Sequence, residues 1–400
     1  MRILALTNLY PNPYQPNRAT FNRQQIRALA AQHEIRVIAP ILWTDELRER
    51  RRQGPRLATD RRATCDGLSV EHPRYVYPPK LFRSWYGRCF LRSVQGTFVK
   101  VVGEFRPDLI FAPWAYPDGW AAVELCRRAC LPVVVKVHGS DILTLSRYPG
   151  RVRRTLESLS RADCVVAVSQ HLAQRIVELG IDSNRLRIVY NGIDRQAFAP
   201  GNRQQARAAL GLDPATPAVL FVGNLVPVKG VEVLIDACAL LAQSGLHFQC
   251  HLVGAGPLRA KLKKQSERLG LADRVILHGS RPHQELPDWY RSADVVALTS
   301  HSEGVPNVLL EAAACGVPFV ASAVGGVPEI AHWGLSQLVP PGDPRRLADA
   351  LREVLAGKMP GGPREPFTRS FTDAAGELSA LFEEIVAGRA AKPACVASIA

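Results

Sequence analysis

Short apolar runs rich in valine, isoleucine and leucine recur along the chain, and most are followed by a stretch with apolar residues every three or four positions. The short runs read as strands buried on both faces, the longer stretches as amphipathic helices. In the first half the predicted strands are residues 2–7, 35–39, 108–112, 132–137, 163–168 and 187–190; in the second they are 218–222, 247–253, 274–277, 294–299 and 317–321. Helices are predicted over 21–32, 117–129, 170–179, 257–269, 285–292, 344–356 and 371–387, with Thr20 and Ser169 as candidate N-caps. Alternating strands and helices imply an α/β fold with parallel sheets. Residues 200–217 are polar and proline-rich, which marks a boundary between domains 1–199 and 200–370. Residues 42–77 look irregular, 358–366 read as a linker, and a tail of 389–400 is expected to be disordered.

One stretch, residues 293–326, has a more specific pattern. A strand ends in Ser300-His301-Ser302. Glu303-Gly304-Val305-Pro306-Asn307 then opens a helix that Gly316 and Pro318 stop. Glu303 stands at the helix mouth and Glu311 about two turns in, so the two are about 12 Å apart along the axis. That is too far for a hydrolase pair, whose carboxyls lie roughly 5–10 Å apart. It suits two acids gripping the ends of one long ligand, with an anion at the helix mouth between them. A sugar–diphosphate–ribose–base has that form.

Charge changes the picture of the first half. Through Arg195 there are 31 Lys and Arg against 17 Asp and Glu, an excess of 14; from Gln196 onward there are 19 of each. The basic half predicts an anionic partner or surface. Residues 78–94 interleave Leu81, Phe82, Trp85, Tyr86 and Phe90 with Lys80, Arg83, Arg88 and Arg92. That fits an interfacial membrane segment, or a helix that packs its aromatics inward and solvates its arginines. No apolar run nears the ~20 residues of a membrane span. The first residues read as a strand, not a signal peptide, so a cytoplasmic protein is expected. The nine cysteines show no C-x-x-C pattern and read as free thiols.

The stretch Ser302 to Ser322, with Glu303-x7-Glu311, resembles the signature of the retaining nucleotide-sugar glycosyltransferases of family 4. That resemblance implies a GT-B fold, two Rossmann-like domains facing a central cleft, with a C-terminal helix over 371–388 crossing back to the first domain. It implies that Glu303 meets the donor sugar and Glu311 the ribose. Val137-His138-Gly139-Ser140-Asp141 resembles the turn that sets a histidine beside the sugar, with Asp141 orienting the loop or holding acceptor. Gly223-Asn224 and Lys229-Gly230 resemble the phosphate loop, and His278-Gly279-Ser280-Arg281 the turn that receives the base. Two positions depart from the family pattern: Ala19 stands where the first loop carries a glycine, and Asn224 where an arginine is usual. Asn17 and Arg18 could then reach the ligand by side chain, and Arg281 could assist Lys229. The resemblance implies a nucleotide-sugar (UDP-sugar or GDP-mannose) as donor and a hydroxyl acceptor, lipid-linked or polysaccharide, in envelope or exopolysaccharide synthesis. No separate cofactor is implied, and no Asp-x-Asp stands near these motifs to hold a metal. The rival readings are a nucleotide-sugar epimerase on a similar fold and a non-catalytic nucleotide-sugar or membrane-surface binding protein. Nucleic-acid binding lacks any motif.

Overall fold

The computed structural model describes residues 1–52, 57–79, 85–145, 149–332, 335–358 and 367–390. Its contacts divide the chain into two compact units. One comprises residues 1–190 and the C-terminal stretch from Phe371; the other is Asn191–Ser370.

The first unit holds β1 (Arg2–Leu6), β2 (Glu34–Ile38), β3 (Ile41–Leu42), β4 (Arg62–Cys65), β5 (Leu68–Glu71), β6 (Arg74–Tyr75), β7 (Leu109–Ala112), β8 (Val133–Val137), β9 (Cys164–Ala167) and β10 (Leu186–Ile188). Eight of these form one sheet in the order β10-β9-β8-β7-β1-β2-β5-β4, while β3 and β6 pair separately. All neighbours in the large sheet run parallel except β4 and β5. The central strands explain the continuous apolar runs: Ile3 to Leu6 and Leu109 to Ala112 are essentially without exposure. From β1 the chain builds outward to β2 on one side and later to β7 on the other. The loops leaving the carboxyl ends of β1 and β7 therefore diverge, the place where open α/β sheets bind ligands. The helix Phe371–Ala390 belongs to this core. Ala374, Ala375, Leu378 and Phe382 are fully buried with Ile3 and Phe111 in one cluster, and Phe382 meets Phe111 at 5.4 Å.

The second unit holds β11 (Ala218–Val222), β12 (Gln249–Val253), β13 (Val275–Gly279), β14 (Val295–Leu298), β15 (Phe319–Ser322) and β16 (Ser336–Val339). They form one parallel sheet in the order β13-β12-β11-β14-β15-β16. Here the switch in direction lies between β11 and β14.

Several expectations need correction. The described residues within 42–77 are not irregular. They contain the helix Trp43–Arg51, with Asp45 and Glu46 in its first turn and three arginines in its last, complementing the helix dipole. They also contain the β4–β5 hairpin, turned by Asp66-Gly67 with φ of +52° and +79°. Thr20 does not cap its helix: it is the first helical residue, and Ala19 occupies the cap in the left-handed region at φ +48°, with no side-chain bond. Ser169 does cap, accepting from the Leu172 N–H.

The helix after β14 spans Asn307–Ala314, so residues 303–306 lie outside it. Pro306 is its N-cap at ψ +111°, a value that cannot continue a helix backward. The 12 Å spacing drawn from eight helical residues therefore does not hold; only the four steps from Asn307 to Glu311, about 6 Å, are helical.

In the candidate membrane segment, Lys80, Phe82 and Arg83 lie outside the described residues. The helix Tyr86–Phe105 buries Phe90, Val94, Phe98, Val101 and Phe105 along one face, a core stripe. Trp85 at its N-cap is 52 % exposed, and the Arg88 guanidinium lies 5.7 Å over its ring. Among the described residues no helix is long and apolar enough to cross a membrane. The expected linker at 359–366 and tail from 391 lie outside the described residues as well.

Candidate active site

In the second unit, the loops leaving β11 and β14 are clamped together. The Thr299 hydroxyl donates to the Lys229 carbonyl at 3.0 Å, and the His301 N–H to the Val228 carbonyl at 2.8 Å. Gly230 sits between them at φ +57°, and a Cβ there would lie 2.3 Å from the Thr299 carbonyl oxygen. Only glycine meets both demands.

This clamp brings together two side chains that the sequence singled out separately. Lys229, the last residue of the single turn Pro227–Lys229, sends its Nζ 2.5 Å to Oε1 of Glu303. The Ser300 hydroxyl donates to the same oxygen, also at 2.5 Å. Ser300 is fully buried, and the Glu303 side chain is 11 % exposed. The Glu303 backbone is fixed from the other side. Gly325, at φ +57°, would place a Cβ 1.8 Å from the Glu303 carbonyl oxygen, and the Gly326 N–H donates to the Gly304 carbonyl at 2.9 Å.

Just beyond Glu303 the chain enters the helix Asn307–Ala314. The N–H groups of Gly304, Val305, Asn307 and Val308 donate to no acceptor among the described residues. Two of these, Asn307 and Val308, are free N–H groups of the helix's first turn, a feature that in general favours an anion. Val305 and Pro306 are buried and wall the mouth, and the Asn307 side chain accepts from Asn191 Nδ2 at 3.1 Å.

Glu311, in the second turn, is held by groups that sequence reasoning missed. The Tyr290 hydroxyl donates to Oε2 at 2.7 Å, and His283 Nε2 lies 3.8 Å from Oε1. Tyr290 is fully buried, and burial, with the Glu311 charge, raises its pKa far above the usual phenol range. Phe198 packs edge-on against both rings, at 5.2 Å from His283 and 5.8 Å from Tyr290. The signal available in the sequence was weak: one tyrosine and one histidine around a predicted helix. Ser300 was visible only as part of a polar turn.

The other candidates of this unit are more dispersed. The Gly223 N–H donates to the Val253 carbonyl at 3.0 Å, and Asn224 is exposed, its side chain bonded to nothing among the described residues. Gly279 ends β13 at φ +77°, and its carbonyl accepts from the Gly254 N–H at 2.8 Å. Arg281 lies 3.9 Å from Glu285 and 5.8 Å over the Trp289 ring, and it contacts neither Lys229 nor Glu303. Among the described residues no group of three or more His, Cys, Asp or Glu could hold a metal ion.

In the first unit, His138 follows β8 and is half-buried between Phe21, 4.8 Å away, and Trp114, 6.2 Å away with its plane tilted by 24°. Burial, and secondarily the Lys136 charge, hold its pKa well below the usual imidazole range, so the ring is neutral. Its Nε2 is out of solvent and has no hydrogen-bond partner. Asp141 accepts from the N–H groups of His138 and Gly139 at 3.0 and 2.9 Å through one oxygen, and of Ala115 at 3.2 Å through the other. Both oxygens are thus engaged by backbone N–H groups. Burial still pushes its pKa up to about 6 against those donors.

The Arg18 guanidinium is spent on its own loop, donating to the Asn8 carbonyl and to Gln15. Asn17 is exposed in a turn. Asp118, missed from sequence, accepts from the Thr7 hydroxyl and the Asn8 N–H at 2.8 Å each and from Asn8 Nδ2 at 2.7 Å; burial raises its pKa to about 7.

Comparison with known proteins fits this geometry. The family described as glycosyl transferases group 1 matches residues 202–368, and that described as glycosyltransferase family 4 matches residues 19–197. A D-inositol 3-phosphate glycosyltransferase of Catenulispora acidiphila is 29 % identical over 362 residues, covering 82 % of this chain and 84 % of the relative. A putative teichuronic acid biosynthesis glycosyltransferase of Bacillus subtilis, TuaC, is 29 % identical over 365 residues, covering 88 % of each. The crystal structure of Anabaena HepE in complex with UDP-glucose superposes with a TM-score of 0.70 at 21 % identity, over 98 % of each chain, a likeness of fold. Two switch-point loops, an ammonium and carboxylate at a helix mouth, and matches across both units converge: the chain belongs to glycosyltransferase family 4, group 1, and is a glycosyltransferase of the GT-B fold.

Proposed function

We propose that this protein transfers a sugar, with retention at the anomeric carbon, from a UDP-sugar or GDP-mannose to a hydroxyl acceptor. The observation that carries this reading is the helix mouth of the second unit, where Lys229 and Glu303 meet beside four unpaired N–H groups. Negative charge grows on the diphosphate as the glycosidic bond breaks, so donors fixed there lower the barrier. Lys229 and the N–H groups of Gly304, Val305, Asn307 and Val308 are suited to that charge. They supply it without a divalent ion, so turnover is expected to survive EDTA. Glu303 would take a donor-sugar hydroxyl and Glu311 the ribose. Gly223 and Asn224 would border the phosphates; Gly279 and Arg281 would border the base. His138 offers its unpartnered Nε2 to a sugar hydroxyl. Asp141 acts through the loop it orients, and Asn17 and Arg18 stand at the acceptor side.

The acceptor we propose is a lipid-linked or polysaccharide intermediate of envelope or exopolysaccharide synthesis, reached by a cytoplasmic protein docked on the inner membrane face. TuaC, with its name in teichuronic acid synthesis, supports that direction. So do the exposed Trp85 and Val76 and the Arg88 beside Trp85, next to a segment rich in arginine. Sedimentation with anionic vesicles is expected for the wild type and reduced in Trp85→Ala/Arg88→Glu.

The experiment that tests the main reading is incubation with UDP-glucose, UDP-N-acetylglucosamine and GDP-mannose, with and without membrane-extract acceptor. Acceptor-dependent release of UDP or GDP supports transfer. An isomerised donor would mean an epimerase, and donor binding without turnover would mean a binding protein.

A further inference from the structure

We propose that Ser300 is the positioning residue for Glu303, holding one carboxylate oxygen so that the other faces the donor sugar. The proposal rests on the donor site above and adds a residue to it. Oε1 of Glu303 receives two donors, the Ser300 hydroxyl and the Lys229 ammonium. Oε2 takes no hydrogen bond among the described residues, and it is the atom left for a ligand hydroxyl.

The two donors differ in what holds them. Ser300 is fully buried, directly beyond β14, and its neighbours Thr299 and His301 are both tied to the Val228–Lys229 backbone. Its hydroxyl has one proton to give, and it gives it to Glu303. Lys229 ends a long flexible stem, and its side chain is 22 % exposed. A diphosphate at the helix mouth carries more charge than one carboxylate and draws the ammonium toward itself. Ser300 then remains as the group that keeps Glu303 oriented while Lys229 serves the leaving group. Serine three residues ahead of the glutamate thus separates two tasks that would otherwise fall to one lysine.

The test uses the full chain, with UDP and GDP as binding probes by calorimetry. Turnover is read as release of UDP or GDP from UDP-glucose, UDP-N-acetylglucosamine and GDP-mannose in the presence of the membrane-extract acceptor. Ser300→Ala is expected to lower kcat about 10- to 100-fold, the scale of a misplaced reacting group, while UDP or GDP affinity stays within about twofold, since Lys229 and the N–H groups remain. Ser300→Thr, which keeps the hydroxyl, is expected to recover most of the lost kcat. Wild-type turnover in Ser300→Ala overturns the proposal. So does an equal loss of nucleotide affinity and turnover, which would make Ser300 a structural support only. Lys229→Met separates this outcome from failure of the donor-site reading: if that variant binds UDP and GDP as the wild type does, the site itself has been misassigned.

Discussion

The two units solve the same topological problem and use their polar groups in opposite ways. Each has a parallel sheet with a switch point, and each sends two loops past it. In the second unit the charged groups at that point are Lys229 and Glu303, neutralising each other at a partly open helix mouth. A ligand that brings its own charge can exchange with such a pair. In the first unit the acids Asp118 and Asp141 are buried, and their oxygens are occupied by backbone and side-chain donors of the loops they hold. They are not available to exchange; a polar atom beside them left without a partner among the described residues is Nε2 of neutral His138. The exchangeable ion pair thus lies in one unit and the buried, fully bonded acids in the other, although the net positive charge of the sequence lies in the half without that pair.

The comparison breaks first at the glycines. Gly325→Ala forces a Cβ against the Glu303 carbonyl in a left-handed backbone. About 3 kcal/mol of destabilisation is expected from the strain and the overpacking together, with loss of turnover. An unchanged melting temperature in this variant would mean that the loop is not pinned there.

Lys229→Met is expected to weaken UDP or GDP binding by about 10- to 100-fold, the loss of a charge-assisted contact of about 1.5–3 kcal/mol. His138→Ala should instead lower turnover and leave nucleotide affinity within about twofold. Equal effects on nucleotide affinity would erase the contrast between the units.

A smaller effect separates the buried acids from ordinary carboxylates. Asp118 has its pKa raised from 3.8 to about 7 by burial. The folded state therefore holds this proton more tightly than the unfolded chain. The stabilisation is complete below about pH 4 and is lost as pH rises through about 7. Asp118→Asn removes that dependence, so the stability difference between variant and wild type should drift steadily across this range. A constant difference from pH 4 to pH 8 contradicts it.

The smallest change is Ala19→Gly. Ala19 sits at φ +48° where a glycine would be unstrained. A gain of under about 1 kcal/mol is expected in thermal unfolding, since relief of left-handed strain is partly offset by glycine's greater chain entropy. A loss of stability would show that the methyl group packs usefully.

The strand pattern and the position of the Glu303 stretch were legible in the sequence because buried parallel strands are written as continuous apolar runs. The helix start after Glu303 was not, because a proline is tolerated both in a first turn and just before it; only ψ at Pro306 decides. The β4–β5 hairpin was hidden by arginines, although Asp66-Gly67 is a hairpin signal in its own right. Ser300, Tyr290 and His283 were not legible as site residues. Their role is a matter of which atoms face Glu303 and Glu311, and no spacing in the chain encodes that. The aromatic and basic run at 78–94 offered two readings, and Phe90 at zero exposure with Trp85 at 52 % shows one segment serving both core and surface.

The most direct measurement is turnover and thermal stability of Glu303→Ala beside the wild type, with the donor that the wild type hydrolyses or transfers. The account predicts turnover reduced by more than about 100-fold, with the protein still folded and its melting temperature lowered only by the loss of the Ser300 and Lys229 bonds to that carboxylate. Wild-type turnover in that variant would contradict it.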